Sequence, residues 1–422
     1  MLMDKFQGFY GFSDNVANPV LSSNIYQNDN QYTTVSYRKD PGYFERVGGS
    51  CMGIFVGLFV LIAAFPVLFL NEGRAVRTAQ SLDEGLNSVV LLTSSENVYD
   101  SNNKKLVHLS GKLRTEMALT DNEFGISIFA VKLKRHVEMY QWVEHENKRE
   151  YKEGDQTRIE TTYSYSKEWR SEIINSGRFN VPTLHQNPNT FPISSFNKEA
   201  DPVFLGSFRL SKGLVAQINT FHQINLNKKP DHREDLRLLD NYFYRSTDPY
   251  HAQVGDIRVS FTYSGLSGEL HQEHGNQAEV SVIAQQNGNF LSSYQTNAGD
   301  QLEILYPGIK SAKEIFDSEQ SANTFLTWLM RFVGWLMMFI ALQIMMDIFR
   351  QIVSFLPIIR DIVGLATSVL AFTFATSMAL VTIAIGWLSY RPLLACTLLF
   401  AAVLPLVISR YKSKESKKKN DN

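Results

Sequence analysis

Apolar residues gather into four long runs, and the chain between and around them is polar. The first run, from Cys51 to Leu70, reads CMGIFVGLFVLIAAFPVLFL, 20 residues without a charge. That is the length a helix needs to cross a hydrocarbon core of about 30 Å. Further runs extend from near Phe332 to Ile348, Ile362 to Leu388 and Leu393 to Ser409. Only Ser389-Tyr390-Arg391-Pro392 separates the last two, which predicts a tight helical hairpin. The first run starts far from the amino terminus and ends in Asn71-Glu72-Gly73-Arg74, unlike a cleaved signal peptide, so it reads as a retained anchor. Pro66 lies near its end, where a kink is tolerable because neighbouring helices satisfy the freed carbonyl. The apolar segment RQIVSFLPIIRD, Arg350 to Asp361, is too short to span and reads as an interfacial loop.

Between the first two runs the pattern changes period. Val131 to Val143 and Ile257 to Tyr263 alternate apolar with polar residues, and Val280 to Ala284 and Leu302 to Tyr306 are further strand candidates. Asn-Pro at 187, Asp-Pro at 248, Asn-Gly at 287 and Pro-Gly at 307 punctuate them as turns. One amphipathic helix is expected at Ser311 to Gln320, leading into the second membrane helix. The fold expected is a multi-pass α-helical membrane protein with four transmembrane helices and a large β-rich α+β lumenal domain. Its divisions are 1–47 as a disordered segment, 48–70 as the first membrane helix, 71–325 as the domain and 326–349 as the second helix. The interfacial loop 350–361, the helices 362–388 and 392–409, and the basic tail 410–422 complete them.

Charge then sets the orientation. An even number of spans puts both termini on one side. That side holds Arg38, Lys39, Arg46, Arg350, Arg360, Arg410, Lys412, Lys414 and Lys417 to Lys419, against Arg74, Arg77, Arg331 and Arg391 on the other. Positive residues stay inside, so both termini are expected in the cytosol or nucleoplasm and the domain in a lumen. The tail lysines Lys412, Lys414, Lys417, Lys418 and Lys419 are candidates for contact with anionic lipid, worth about 1 kcal/mol each near the surface. A formal net charge of -1 gives no reason to expect direct nucleic-acid binding. The two cysteines, Cys51 and Cys396, both lie in apolar runs, so the domain has neither a disulfide framework nor a thiolate zinc site. It also has no Asn-x-Ser/Thr acceptor, as suits a resident of the endoplasmic reticulum or nuclear envelope.

Two stripes of small residues are helix-packing or oligomerisation candidates: Gly49, Gly53 and Gly57 on the first helix, and Ala371, Ala375 and Ala379 on the third. Such faces let backbones approach closely, either between copies or inside one four-helix bundle. Arg331, Asp347 and Arg360 mark a polar pathway or snorkel to water from helix ends. Trp328, Trp335, Trp387 and Tyr390 fall near the boundaries, where amphipathic rings favour the headgroup layer. Glu72 and Arg74 either pair with the domain or stop the first helix from sliding into the bilayer. No G-x-S-x-G, P-loop or H-E-x-x-H occurs. His136 and Glu138 share one strand face, as an acid–base pair, as metal ligands lacking a third, or as part of a cross-strand ion pair. His271 and His274 read as solvated loop residues. In KEWRSEI, Trp169 offers a face for a guanidinium such as Arg170. No catalytic residue, cofactor or metal site is expected.

Specific strings add to this reading. NEGRA (71–75), SLDEGL (81–86), KLKRHVEMYQWVE (132–144), EWRSEIINS (168–176), GDIRVSFTYSGLSG (255–268) and GWLSYRPL (386–393) resemble the transmembrane protein 43 (LUMA) family of nuclear envelope and endoplasmic reticulum membrane proteins. The resemblance runs from near Pro41 to Ser409. It implies one helix, a large lumenal domain and three further helices, an inner nuclear membrane location, self-association as a homo-oligomer, and association with lamins and emerin. The expected function is a scaffold that organises protein complexes at the inner nuclear membrane and maintains envelope structure, including retention of emerin-like partners. The alternative is a lumenal enzyme or sensor of the endoplasmic reticulum that binds a small molecule or lipid, which predicts a cleft with convergent polar groups. A channel or transporter is disfavoured, since the middles of the membrane runs carry no charge.

Overall fold

A computed structural model describes residues 23–28, 31–267 and 276–392 of the 422. Its helices are α1 (Tyr43–Ser88), α2 (Lys212–Ala216), α3 (Ala312–Ile352) and α4 (Pro357–Tyr390). Among the described residues three helices, α1, α3 and α4, are long and apolar enough to cross a membrane. The fourth expected span, the tail lysines, His271 and His274 lie outside the described residues.

α1 does not stop where its apolar run stops. Beyond Leu70 the stretch NEGRAVRTAQSLDEGLNS is rich in helix formers and has no proline, so the helix continues to Ser88. α3 likewise fuses the expected short amphipathic helix to the second span. Ser311 caps it, its Oγ accepting from the Glu314 amide while the Glu314 carboxylate accepts from the Ser311 amide at 2.8 Å. No glycine or proline interrupts the sequence from there to Phe332. α1 and α3 run antiparallel along their whole lengths: Tyr43 Oη donates to Ile352 O, Glu72 meets Arg331, and Gly85 lies against Phe316. Four residues, Val353 to Leu356, turn the chain from α3 into α4, so the expected interfacial loop 350–361 is mostly helix.

The soluble domain has two β layers. In one, Leu106–Thr115, Val203–Leu205, Phe208–Leu210, Phe290–Ser292 and Glu279–Asn287 pair in a circle that closes when Glu279–Asn287 meets Leu106–Thr115. Closure leaves these five strands no free edge within the circle, and Leu109, Leu113, Leu205, Phe208, Val282 and Leu291 fill the inside. The second layer is a nine-stranded sheet whose backbone is the hairpin Ala130–Glu153 and Gln156–Arg170. Phe124, Leu133, Phe243 and Phe261 pack its core. The alternating segments at Val131 and Ile257 are strands, as their period predicts, and the candidate at Val280 is one as well. The segment at Leu302 is two short strands with Glu303 between them.

One region departs from expectation. The stretch before Tyr43, polar enough to read as unstructured, contains the strands Ser23–Asn28 and Gln31–Lys39. The second pairs with Gln156–Arg170, and Tyr32 lies edge-on to both Tyr165 and His185. QYTTVSY is dense in β-branched and aromatic residues, a local signal that averaging over forty residues concealed.

Candidate functional site

Where α1, α3 and α4 leave the apolar zone on the domain side, four polar and aromatic residues form a clasp. Glu72 is 2% exposed. Its carboxylate accepts from Arg331 Nε at 2.7 Å and Nη2 at 2.8 Å, and from Trp387 Nε1 at 2.9 Å. The Arg331 guanidinium carbon sits 4.8 Å from the Trp328 ring centre and 5.7 Å from that of Trp387. A planar fork matches a carboxylate in two parallel bonds, and the indole faces add cation–π attraction. Arg331 therefore turns inward to a partner instead of snorkelling to water. Gly386 makes room for this arrangement, since a Cβ there would come within 3.0 Å of the Glu72 side chain.

A second rung lies half a turn further along α1. Arg74 donates to Asn323 Oδ1, Asn71 Oδ1 and Thr327 Oγ1 at 2.9, 3.1 and 3.2 Å, and Asn323 donates to Ala75 O at 3.0 Å. Glu72 and Arg74 thus bind helices, not the β domain. Beside them a cleft of about 150 Å³ is lined by Gln320, Trp328, Arg331, Trp387 and Arg391 among others. Above it, Thr78 donates to Asp300 at 2.7 Å, Asn297 donates to Glu84, and Leu82, Ile315 and Phe316 are buried with Leu106 and Ile283 of the β domain. Burying Ile315 and Phe316 contributes about 1.5–3 kcal/mol each. These contacts bind the domain directly to α1 and α3, two of the three helices long and apolar enough to cross a membrane.

The small-residue stripes meet helices of the same chain. A Cβ on Gly57 would lie 2.7 Å from Ala341 O and 2.5 Å from Met345 Cγ. Gly53 is buried, while Gly49 faces open space. Ala371, Ala375 and Ala379 are buried in the bundle with Leu61, Leu68 and Met338. At the far end Ser50 donates to Asp347 at 3.0 Å and Gln351 to the same carboxylate at 3.2 Å. Arg360 and Asp361 are exposed and 3.9 Å apart. Trp335 is not a boundary residue: its Nε1 donates to Thr376 Oγ1 at 3.1 Å between α3 and α4.

In the β domain the sequence candidates resolve into structural roles. Glu138 accepts from Arg258 across the strands at 2.7 Å, and His136 hydrogen-bonds Thr262 at 2.9 Å. Burial, reinforced by Lys134, holds the His136 pKa below its ordinary value. The guanidinium over Trp169 is that of Arg258, 4.8 Å from the ring centre, whereas Arg170 pairs with Glu168 at 2.6 Å. Sequence order suggested the neighbour in the chain, but the neighbour across the sheet is the one on the same face. Arg135 joins the buried Asp121 at 3.0 Å and the exposed Glu123 at 2.6 Å in a cluster no motif announced. Tyr165 donates to Glu144 at 2.6 Å and stacks 3.7 Å from His185, and burial pushes its pKa up. A cleft of about 350 Å³ between the layers is lined by Ile218, His222, Tyr263, Leu266 and Val280 among others. Among the described residues no group of three or more His, Cys, Asp or Glu gathers.

Comparison with known proteins agrees with the recurring strings. The family model for transmembrane protein 43 matches residues 139–392. The chain is 42% identical to transmembrane protein 43 of Homo sapiens over 380 residues, covering 90% of this chain and 95% of the human one. It is 32% identical to the Drosophila melanogaster homolog over 361 residues, covering 83% and 92%. No solved structure matches. This chain belongs to the transmembrane protein 43 family.

Proposed function

We propose that the protein is a scaffold of the inner nuclear membrane and endoplasmic reticulum, with its β domain in the lumen and both termini in the nucleoplasm or cytosol. The observation that carries this reading is the unbroken continuation of α1 and α3 from the membrane zone into the core of the domain. A domain held in this way keeps a fixed relation to its bundle, which suits a platform that presents partners on one side of a membrane to those on the other. The family resemblance supplies the partners: lamins and emerin-like proteins, met through the nucleoplasmic segments. The basic tail adds attraction to anionic lipid, and self-association multiplies the binding sites. Against an enzyme, the buried titratable groups described in the domain each have a structural partner, as Arg135 and Asp121 do.

The test is proximity labelling in cells, with the labelling enzyme fused to the carboxyl terminus of the full chain. Labelling of lamins and emerin-like proteins is the expected result. Labelling confined to lumenal proteins overturns both the orientation and the partners.

A further inference from the structure

α4 ends at Tyr390, opposite Gly73, where a Cβ would come within 2.6 Å of the tyrosine ring. Beyond that level α4 no longer covers α1 and α3, and the cleft of about 150 Å³ opens beside them. The clasp of Glu72 and Arg331 bounds it on the membrane side, and Arg391 stands at its edge where α4 stops. The charge-free run of α1 ends at Leu70. The headgroup layer adds about 5–7 Å on each side of a hydrocarbon core of about 30 Å, which α1 crosses in about four residues. With α1 across a bilayer, the clasp end of the cleft lies among lipid headgroups.

Two groups in the cleft are unmet. Three charged side chains line it, Glu72, Arg331 and Arg391. The first two neutralise each other, and Glu72, 2% exposed with three N–H donors, offers little repulsion to an anion. Arg391 is exposed and has neither an ion pair nor a side-chain hydrogen bond among the described residues, so the cleft carries one free positive charge. Gln320 holds the other unmet group: its Oε1 is buried and accepts from nothing. A buried acceptor without a donor destabilises its surroundings. No hydrogen bond fixes that amide among the described residues, so turning its oxygen into the cleft breaks none. Below the cleft an apolar column continues. Phe332 lies one turn from Trp328 on the same face of α3. Its ring is 5.7 Å from that of Trp335, which in turn lies edge-on to Phe372 at 5.7 Å. Phe332 and Phe372 are each more than half exposed, at the depth of the hydrocarbon.

We propose that the cleft binds one phospholipid with a single negative charge and a hydroxyl-bearing head. The Arg391 guanidinium, whose planar fork matches a phosphate, takes the phosphodiester. A hydroxyl of the head donates to Gln320 Oε1, and an acyl chain lies along Phe332, Trp335 and Phe372. A drug-sized ligand fills about 300–1,000 Å³, so a cleft of about 150 Å³ takes the head and leaves the chains in the bilayer. The proposal rests on α1, α3 and α4 crossing a membrane. It is independent of the side the domain faces and of the partners proposed above. A lipid held there braces the joint between bundle and domain.

The test uses the full chain in nonionic detergent, with its melting midpoint followed by fluorescence-detected size exclusion as lipid is titrated. The probes are dioleoyl phosphatidylglycerol, dioleoyl phosphatidylmethanol, which has the same charge without the hydroxyls, and glycerol phosphate, which has the head without the chains. Phosphatidylglycerol is expected to raise the midpoint and to bind about three- to tenfold more tightly than phosphatidylmethanol, the effect of one neutral hydrogen bond. Arg391→Gln is expected to weaken both lipids about tenfold or more. Arg77→Gln removes an exposed arginine that does not line the cleft and is expected to change neither. Gln320→Leu is expected to abolish the preference for the hydroxylated head while binding phosphatidylmethanol as the parent does. The basic tail attracts both lipids alike and drops out of these comparisons. Arg391→Gln and Arg77→Gln variants that weaken binding equally, or a preference that survives Gln320→Leu, overturn the proposal. Equal protection by glycerol phosphate overturns the assignment to a lipid.

Discussion

Replacing Arg331 with leucine strands a carboxylate. Glu72, 2% exposed, accepts from three N–H groups at 2.7, 2.8 and 2.9 Å, and Arg331→Leu leaves only that of Trp387. Removing one partner of a buried pair costs about 3–5 kcal/mol, because the survivor stays desolvated without its counter-charge. Glu72→Leu falls near the lower end, since Arg331 keeps its Trp328 and Trp387 contacts, worth about 0.5–2 kcal/mol. The double change Glu72→Leu/Arg331→Leu removes both charges and puts hydrocarbon in their place. Its cost is about 1 kcal/mol, chiefly the acceptor lost by the Trp387 indole. The two single losses then exceed the double loss by about 4 kcal/mol or more, a coupling well beyond the scatter of independent sites. The assay is the midpoint of heat-induced loss of the monodisperse peak, read by fluorescence-detected size exclusion in detergent. Both single variants are expected to melt well below the parent and the double variant close to it. A double variant that loses as much as the two singles together refutes the clasp as a coupled unit.

Two further predictions concern packing and pH. Gly57→Leu drives a side chain into Ala341 O, a backbone atom that cannot swing aside, and is expected to cost about 1–3 kcal/mol, while Gly49→Leu, with nothing within 4 Å, leaves the melting midpoint unchanged. An equal loss at both positions in the same size-exclusion assay defeats that reading. His108 is buried and donates from Nε2 to Lys310 O at 2.9 Å, and desolvation holds its pKa below the ordinary 6.5. The unfolded chain therefore binds a proton first as pH falls, so this residue's contribution to stability is complete above about pH 6.5 and is lost below it. Melting followed from pH 8 to 5 is expected to decline more steeply below 6.5 in the parent than in His108→Gln; identical slopes dismiss the role of His108.

Period was the part of the fold that the sequence displayed openly. The apolar run from Cys51 and the alternation at Ile257 are each set by contacts within a few residues, and both elements are where the pattern puts them. The length of α1 was less visible, because its charge-free run ends at Leu70 and only the sparse stripe of Ala75, Val76, Ala79 and Leu82 marks the helix beyond it. The clasp was half legible: Glu72, Arg331 and Trp387 each stood out at a helix end, but nothing local joins residues 259 and 315 positions apart in the chain. The closed circle of five strands was hidden for the same reason. Its short members, such as Val203–Leu205 and Phe208–Leu210, are too brief to show a period, and only their long-range partners make them strands.

The uninterrupted α1 also makes the molecule a lever. From Asn71 to Ser88 the helix projects about 27 Å beyond the apolar zone at about 1.5 Å per residue. Membrane helices answer a thinner or thicker bilayer by changing tilt, and a change of about 10° carries the far end of such an arm sideways by about 5 Å. Because the domain grips that arm through Leu82, Ile315 and Phe316, the thickness of the surrounding lipid is translated into the position of the domain over the membrane.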